Sequence, residues 1–376
     1  MPARVIDIRR VEDLRDVVHQ AVEVLAAGQL VVFPTETVYS LAARALDAGA
    51  VRRLLEAKGG RPGHALTLAL YSAAQARDYV PDMSRLAQRL ARRCWPGPVT
   101  LVLPDFHPEG LSRRLPPEVQ QTVSPQGAIG LQVPGHSLIL EVLRMMAGPL
   151  VLTSANRTGQ PDARTAQQVI EAFGEEVALV LDDGPTRFGQ PSAVVRVEGS
   201  RYTILRPGVV PEQTLKRLAS LLILFVCTGN TCRSPMAEAL ARKMLADRLG
   251  RPMEELEEAG VLVSSAGIAA VLGAPASHEA IQVMDSYGID LRGHETQPVN
   301  ETLVRHADYI FTMTQGHREA IVAQWPEAAE RTKLLAPEGI DIADPIGGSV
   351  DRYRRCAWQI QRALQVRLQE VEVPEK

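Results

Sequence analysis

Six apolar residues in a row, Leu221-Leu-Ile-Leu-Phe-Val226, run without a break into Cys227-Thr-Gly-Asn-Thr-Cys-Arg-Ser-Pro235, and a helical pattern, Met236-Ala-Glu-Ala-Leu-Ala-Arg-Lys-Met-Leu245, follows at once. An apolar run of that length with no polar alternation reads as a strand covered on both faces, as in a parallel sheet. Pro235 suits the first turn of the helix. Later runs, Val261-Leu-Val-Ser-Ser265, Tyr309-Ile-Phe-Thr-Met313 and Lys333-Leu-Leu335, alternate with helical patterns. Residues 221–376 therefore read as an α/β unit, a small doubly wound parallel sheet whose working end lies at the carboxyl ends of its strands.

A loop that closes onto a helix N-terminus turns successive backbone N–H groups and the positive end of the helix dipole inward, which makes a cradle for an anion, phosphate above all. Cys227 at the start of the loop shares that field, and the field favours a thiolate nucleophile. Arg233, six positions on, brings a planar fork that binds two phosphoryl oxygens at once. The spacing predicts attack on phosphorus through a phosphocysteine intermediate. Ser234 is expected to hydrogen-bond the thiolate and Asn230 to pin the loop from within. Thr228, Gly229, Thr231 and Cys232 complete the cradle. Asp344, kept out of helical geometry by Pro345, is the expected acid for the leaving group and then the base for water, with Asp341 as its competitor. This chemistry asks for no metal and no cofactor. Cys94 and Cys356 read as buried fillers.

With 376 residues, 45% of them hydrophobic, the chain has room for a second domain with a core of its own. The expected division is residues 1–208, a linker helix over 209–220, and 221–376. Up to Gly208 apolar runs such as Gln29-Leu-Val-Val-Phe33, Val99-Thr-Leu-Val-Leu103 and Pro149-Leu-Val-Leu-Thr153 alternate with helical patterns, again α/β. Polar clusters close several of these runs: Thr35-Glu-Thr37, Trp95-Pro-Gly-Pro98 and Thr153-Ser-Ala-Asn156. Lys58 and Arg61, on a glycine-rich turn, offer charge for phosphates, with Ser154, Asn156 and Arg206 as hydrogen-bonding companions. The same residues also suit plain turns and surface charges. A net charge of −3, from 41 basic and 44 acidic residues, excludes a global field for nucleic acid or membranes. No apolar run nears the length that spans a bilayer, and the expected location is the cytoplasm.

The segment from Leu222 onward resembles the low-molecular-weight protein-tyrosine-phosphatase family, through the cysteine loop, Ser265-Ala-Gly267, the His294 region, Asp308 and Asp344-Pro345. It is most similar to the protein arginine phosphatase branch, in Cys227 to Glu238 and in Asp344-Pro-Ile-Gly-Gly-Ser349. The resemblance implies a phosphorylated protein as substrate. It puts phosphoarginine ahead of phosphotyrosine, because Thr231 stands where tyrosine phosphatases usually carry a bulkier aliphatic residue. It also implies a reversible disulfide between Cys227 and Cys232, although a small packing role for Cys232 fits equally. Ile346 departs from both branches, which tend to an aromatic residue there.

The segment from Val5 to Gly208 resembles the YrdC-like family of threonylcarbamoyl-AMP synthases, which implies a twisted mixed sheet and ATP, L-threonine and bicarbonate as substrates in tRNA modification. Thr35 would stand at the threonine pocket, and Lys58, Arg61, Ser154, Asn156 and Arg206 would line the nucleotide pocket. Three positions depart from the family pattern. Gly59-Gly60 puts one extra residue between Lys58 and Arg61, Ser40 replaces a glycine, and Gln132 puts a neutral amide where the family carries an arginine. Two expectations stand side by side: a synthase, and a nucleotide- or RNA-binding module without turnover.

Overall fold

The apolar runs become strands, and the strands sort into two sheets. A computed structural model describes residues 2–59 and 66–373. The chain divides into two units, Met1–Leu218 and Ala219–Lys376.

Among the described residues the first unit holds ten strands: β1 (Arg4–Asp7), β2 (Val31–Phe33), β3 (Ser40–Arg44), β4 (Thr67–Ala69), β5 (Val99–Pro104), β6 (Ala128–Gln132), β7 (Leu150–Ser154), β8 (Leu179–Asp182), β9 (Ala193–Glu198) and β10 (Arg201–Arg206). They form one sheet in the order β1-β8-β2-β3-β7-β4-β6-β5-β9-β10. The sheet is mixed, with β2–β3, β3–β7 and β5–β6 antiparallel and β2–β8, β4–β6 and β5–β9 parallel. Helices Leu14–Ala26 and Ser137–Met145 cover one stretch of it, with Val18, Ala21 and Leu25 packed among Val31, Phe33, Leu150 and Leu181. The strand expected over 29–33 is shorter and begins at Val31, because Gln29 still closes the turn that leaves the preceding helix, its N–H bonded to the Val24 carbonyl at 3.0 Å.

The second unit starts on β11 (Leu221–Cys227), flanked by β12 (Val261–Gly267) and β13 (Tyr309–Thr312), with β14 (Thr332–Leu334) outermost. Every pairing is parallel. Successive side chains of β11 point to opposite faces. Ile223, Phe225 and Cys227 join the core under the helices Arg233–Leu249 and Val350–Arg367, while Leu222, Leu224 and Val226 join a second core with Val304, Ile310 and Ile321. Two cores, one on each face, are the reason the run has no polar alternation. The helix after the loop begins at Arg233, three residues before the expected start, so Arg233 and Ser234 occupy its first turn.

The carboxyl end of β12 lies under the cysteine loop. A Cβ on Gly267 would stand 2.5 Å from the Thr228 carbonyl oxygen and 2.9 Å from the Asn230 nitrogen, both backbone atoms that move only with the loop. Gly267→Ala is therefore expected to cost roughly 1–3 kcal/mol in denaturant unfolding of the full chain, as overpacking does. Gly293→Ala, where a Cβ meets nothing within 4 Å, serves as the neutral control.

Candidate functional site

The cysteine loop is held by one residue in an uncommon conformation. Asn230 has φ 59°, one of two non-glycine residues among those described with positive φ, and it is fully buried. Asparagine tolerates the left-handed region because its short polar side chain bonds locally. Its backbone N–H points at Cys227 Sγ at 3.2 Å, and its Nδ2 donates to Ser234 Oγ and to Ser265 Oγ, both at 2.9 Å. Its Oδ1 accepts the Gln297 N–H at 2.9 Å, and His294 Nε2 lies 2.8 Å from its carbonyl oxygen.

This arrangement places two hydroxyls. The Asn230 amide supplies a hydrogen to each serine oxygen. Ser265 donates its own hydrogen to Glu238 Oε2 at 2.7 Å. Ser234 Oγ is 2.9 Å from Cys227 Sγ, within reach to donate to a thiolate, and 3.4 Å from the Ala266 carbonyl. Burial raises the Glu238 carboxyl above its ordinary range, partly offset by the Ser265 bond.

Arg233, only 5% exposed, sits where the loop returns. Its Nη2 meets Asp344 Oδ2 at 2.6 Å and Thr228 Oγ1 at 3.5 Å, and its Nη1 donates to the Ile342 carbonyl at 3.3 Å. The structure thus brings Asp344 to the loop. Asp341 is turned elsewhere and accepts the Gln315 N–H at 2.8 Å, at the start of the helix Gln315–Gln324. Cys232 is buried with its sulfur 3.2 Å from the Tyr353 hydroxyl, and Thr231 is half-buried with Oγ1 3.4 Å from that sulfur. Thr228 is exposed at the mouth, and Ile346, 67% exposed, follows Asp344 on the opposite loop. Cys94 and Cys356 are buried.

The sequence argument passed over His317. Its Nε2 lies 2.9 Å from Thr228 Oγ1 and its Nδ1 2.9 Å from Thr314 Oγ1. Burial, with the Arg233 cation adding to it, lowers its pKa to about 4. A signal was available: Thr314-x-x-His317 follows β13 directly, at the strand end where such sheets place their sites.

In the first unit the expected residues form two clusters. Lys58, the cap of the helix Ala48–Ala57, gives its Nζ hydrogens to the Ser154 carbonyl and Asn156 Oδ1, each at 2.9 Å, and to the Asn156 carbonyl. Burial lowers Lys58 to about 8, while the oxygens around it favour the charged form. Ser154 Oγ donates to Asn156 Oδ1 at 2.6 Å. In the other cluster Arg206 Nη2 donates to the Ser192 carbonyl at 2.9 Å, Ser192 Oγ lies 3.2 Å from Thr100 Oγ1, and Thr100 donates to Gln132 Oε1 at 3.1 Å. Burial lowers the pKa of Arg206. Thr35 turns its hydroxyl into its own loop, donating to the Val38 carbonyl at 2.6 Å. Ser40 pairs with Ser154 across β3 and β7. Arg61 and Gly60 lie outside the described residues. Glu36, named above only as part of its polar cluster, has its carboxyl buried, raised by burial, and bonded through Oε2 to the Gly135 N–H at 2.9 Å.

Two family models match the chain: Sua5_yciO_yrdC, described as telomere recombination, over residues 23–208, and low molecular weight phosphotyrosine protein phosphatase over residues 222–375. A threonylcarbamoyl-AMP synthase of Pyrococcus abyssi is 30% identical over 268 residues, which are 67% of this chain and 75% of that protein. A protein-arginine-phosphatase of Geobacillus stearothermophilus is 37% identical over 146 residues, 38% of this chain and 90% of that protein. The chain belongs to both families. The crystal structure of P. abyssi Sua5 complexed with L-threonine shares the fold of the first, with a TM-score of 0.52 at 24% identity over 70% of this chain and 92% of that one. Among the described residues no helix is long and apolar enough to cross a membrane.

The depressed pKa of His317 has a consequence for stability. Between its ordinary value of 6.5 and about 4 the unfolded chain takes up a proton that the folded one refuses. Stability then falls as pH drops through that window and levels below it. Urea unfolding of the full chain across the window is expected to show this fall, and His317→Gln, which carries no such proton, is expected to flatten it.

Proposed function

We propose that the second unit removes phosphoryl groups from phosphorylated protein side chains through a phosphocysteine. The observation that carries this is the Asn230–Ser234–Cys227 chain, which sets a hydroxyl against the sulfur, with a buried Arg233 on the same loop. The Cys227 thiolate attacks phosphorus, the S–P bond forms and the bond from phosphorus to the leaving atom breaks. Phosphoryl oxygens replace the Asp344 carboxylate on Arg233, and the freed Asp344, once protonated from solvent, hands that proton to the leaving atom. Asp344 then takes a proton from water, the water oxygen bonds to phosphorus, and the S–P bond breaks to return the thiolate and inorganic phosphate.

Phosphoarginine is the substrate we favour, with phosphotyrosine second. Thr231, half-buried in the loop, leaves room and a hydroxyl where a branched aliphatic chain would fill space, and the exposed Ile346 offers no π face to a phenol ring. Initial rates on matched phosphoarginine and phosphotyrosine peptides test both points. Cys227→Ser is expected to abolish turnover while phosphate affinity remains. Asp344→Asn is expected to slow turnover by about 10²–10⁴-fold. Thr231→Ile is expected to reverse the preference. Phosphotyrosine preferred by the unsubstituted chain would overturn the substrate assignment and leave the cysteine chemistry standing.

For the first unit we propose synthesis of threonylcarbamoyl-AMP from ATP, L-threonine and bicarbonate, supported by the Lys58–Ser154–Asn156 cluster at the end of β7. One observation favours a second reading, binding of a nucleotide or RNA without turnover. The neutral Gln132 is tied on both sides, to Thr100 and to the Gly97 carbonyl at 3.2 Å, and supplies no cation. Pyrophosphate release that needs both threonine and bicarbonate and is lost in Lys58→Met is the outcome expected of a synthase. Absence of release, together with ATP or RNA binding by titration, would establish the binding module instead.

A further inference from the structure

His317 and Thr228 form a unit that the cysteine, arginine and aspartate do not account for. His317 is 5% exposed, on the first turn of the helix Gln315–Gln324, and Thr228 is exposed at the first step of the loop. They stand 89 residues apart in sequence and 2.9 Å apart in space.

The direction of their bond follows from the groups around it. Thr314 Oγ1 accepts the His317 backbone N–H at 3.2 Å as the helix cap. Among the described residues the acceptor at hand for the Thr314 hydroxyl hydrogen is His317 Nδ1, 2.9 Å away. A neutral imidazole has one acceptor and one donor nitrogen, so with Nδ1 accepting, Nε2 carries the hydrogen and gives it to Thr228 Oγ1. Arg233 Nη2 gives a second hydrogen to the same oxygen, at 3.5 Å. Both lone pairs of Thr228 Oγ1 are then engaged, and its own hydrogen points away from both donors.

We propose that His317 is a positioning residue that turns the Thr228 hydroxyl into a donor to the phosphoryl oxygens held in the cysteine loop. The cradle then has a side-chain hydrogen in addition to its backbone N–H groups and Arg233. Neutrality is what the role requires, because a charged imidazole would carry a hydrogen on Nδ1 and meet the Thr314 hydroxyl hydrogen head-on. Burial is the largest influence that keeps the ring neutral; the charged groups that act on it are Arg233 from the loop helix, which works in the same direction, and Asp341 and Asp344 from the loop before the last helix, which oppose it.

The inference rests on the phosphatase reading of the loop, and the test separates the two. Inorganic phosphate binding to the full chain is measured by calorimetry, alongside kcat/KM on a phosphorylated peptide and the thermal midpoint. Thr228→Val and His317→Leu are each expected to weaken phosphate binding and lower kcat/KM by about tenfold or more, as loss of a hydrogen bond to a charged group does. The double variant is expected to lose no more than the worse single, because the two residues act as one donor. Thr228→Ser and His317→Gln, which keep a hydroxyl and an N–H in those places, are expected to restore most of the loss. Additive losses, unchanged phosphate affinity in Thr228→Val, or a His317→Leu chain that loses thermal stability alone would each overturn the proposal. A chain that binds phosphate with this pattern and hydrolyses nothing would uphold the donor and refute the phosphatase.

Discussion

Everything at the working end of the second unit hangs on Asn230. Its left-handed backbone lets the chain double back over the end of β11, and each polar group of its side chain is spent on a different segment. A buried amide costs free energy unless all its hydrogens and lone pairs find partners. Here that requirement fixes Ser234 on the loop helix, Ser265 on β12 and Gln297 on the segment that follows. The serine that faces Cys227 is thus the end of a chain anchored on the half-buried Glu238, and the hydroxyl beside the sulfur is held by the fold as a whole.

What was legible in the sequence was local. The strand Leu221–Cys227 was readable because every residue of it enters a core. Cys227, Arg233 and Ser234 were readable because one short loop holds them. Asn230 was readable in role, though its conformation was not. The parts that escaped are carried by long separations: Gln297 meets Asn230 67 residues on, and His317 meets Thr228 89 residues on. No periodicity or spacing encodes such a meeting; only the order β12-β11-β13 does, by placing two neighbouring strand ends beside the loop. In the first unit the polar clusters stood out, but the sheet order did not. Strands β2 and β4 are three residues long, and β1 pairs with β8 from the far end of the unit, so pattern length gave no guide to pairing.

The two sites differ in what their polar groups are doing. In the first unit Lys58 is ringed by carbonyl oxygens, Gln132 is tied at both ends, and Thr35 is folded into its own turn. A phosphate there must draw the lysine away from neutral dipoles that hold it already, and the cation expected near Gln132 is missing. Glu36 is the exception, a buried carboxyl with an oxygen that meets no hydrogen-bond partner among the described residues. A buried acceptor left unmatched costs free energy.

In the second unit the cation of the cysteine loop is held by something that can let go. Arg233 is almost fully buried, whereas its partner carboxylate on Asp344 is 43% exposed, on a loop where Ile346 and Gly347 face solvent. A half-exposed ion pair contributes little stability, so exchanging it for a doubly charged phosphoryl group that meets the same fork bidentately is favourable. The exchange also delivers the acid. The carboxylate that leaves the guanidinium is free to turn toward the leaving atom and carry a proton to it from solvent. One contact, Arg233 to Asp344, therefore keeps a buried guanidinium partnered and couples phosphoryl binding to the release of the acid.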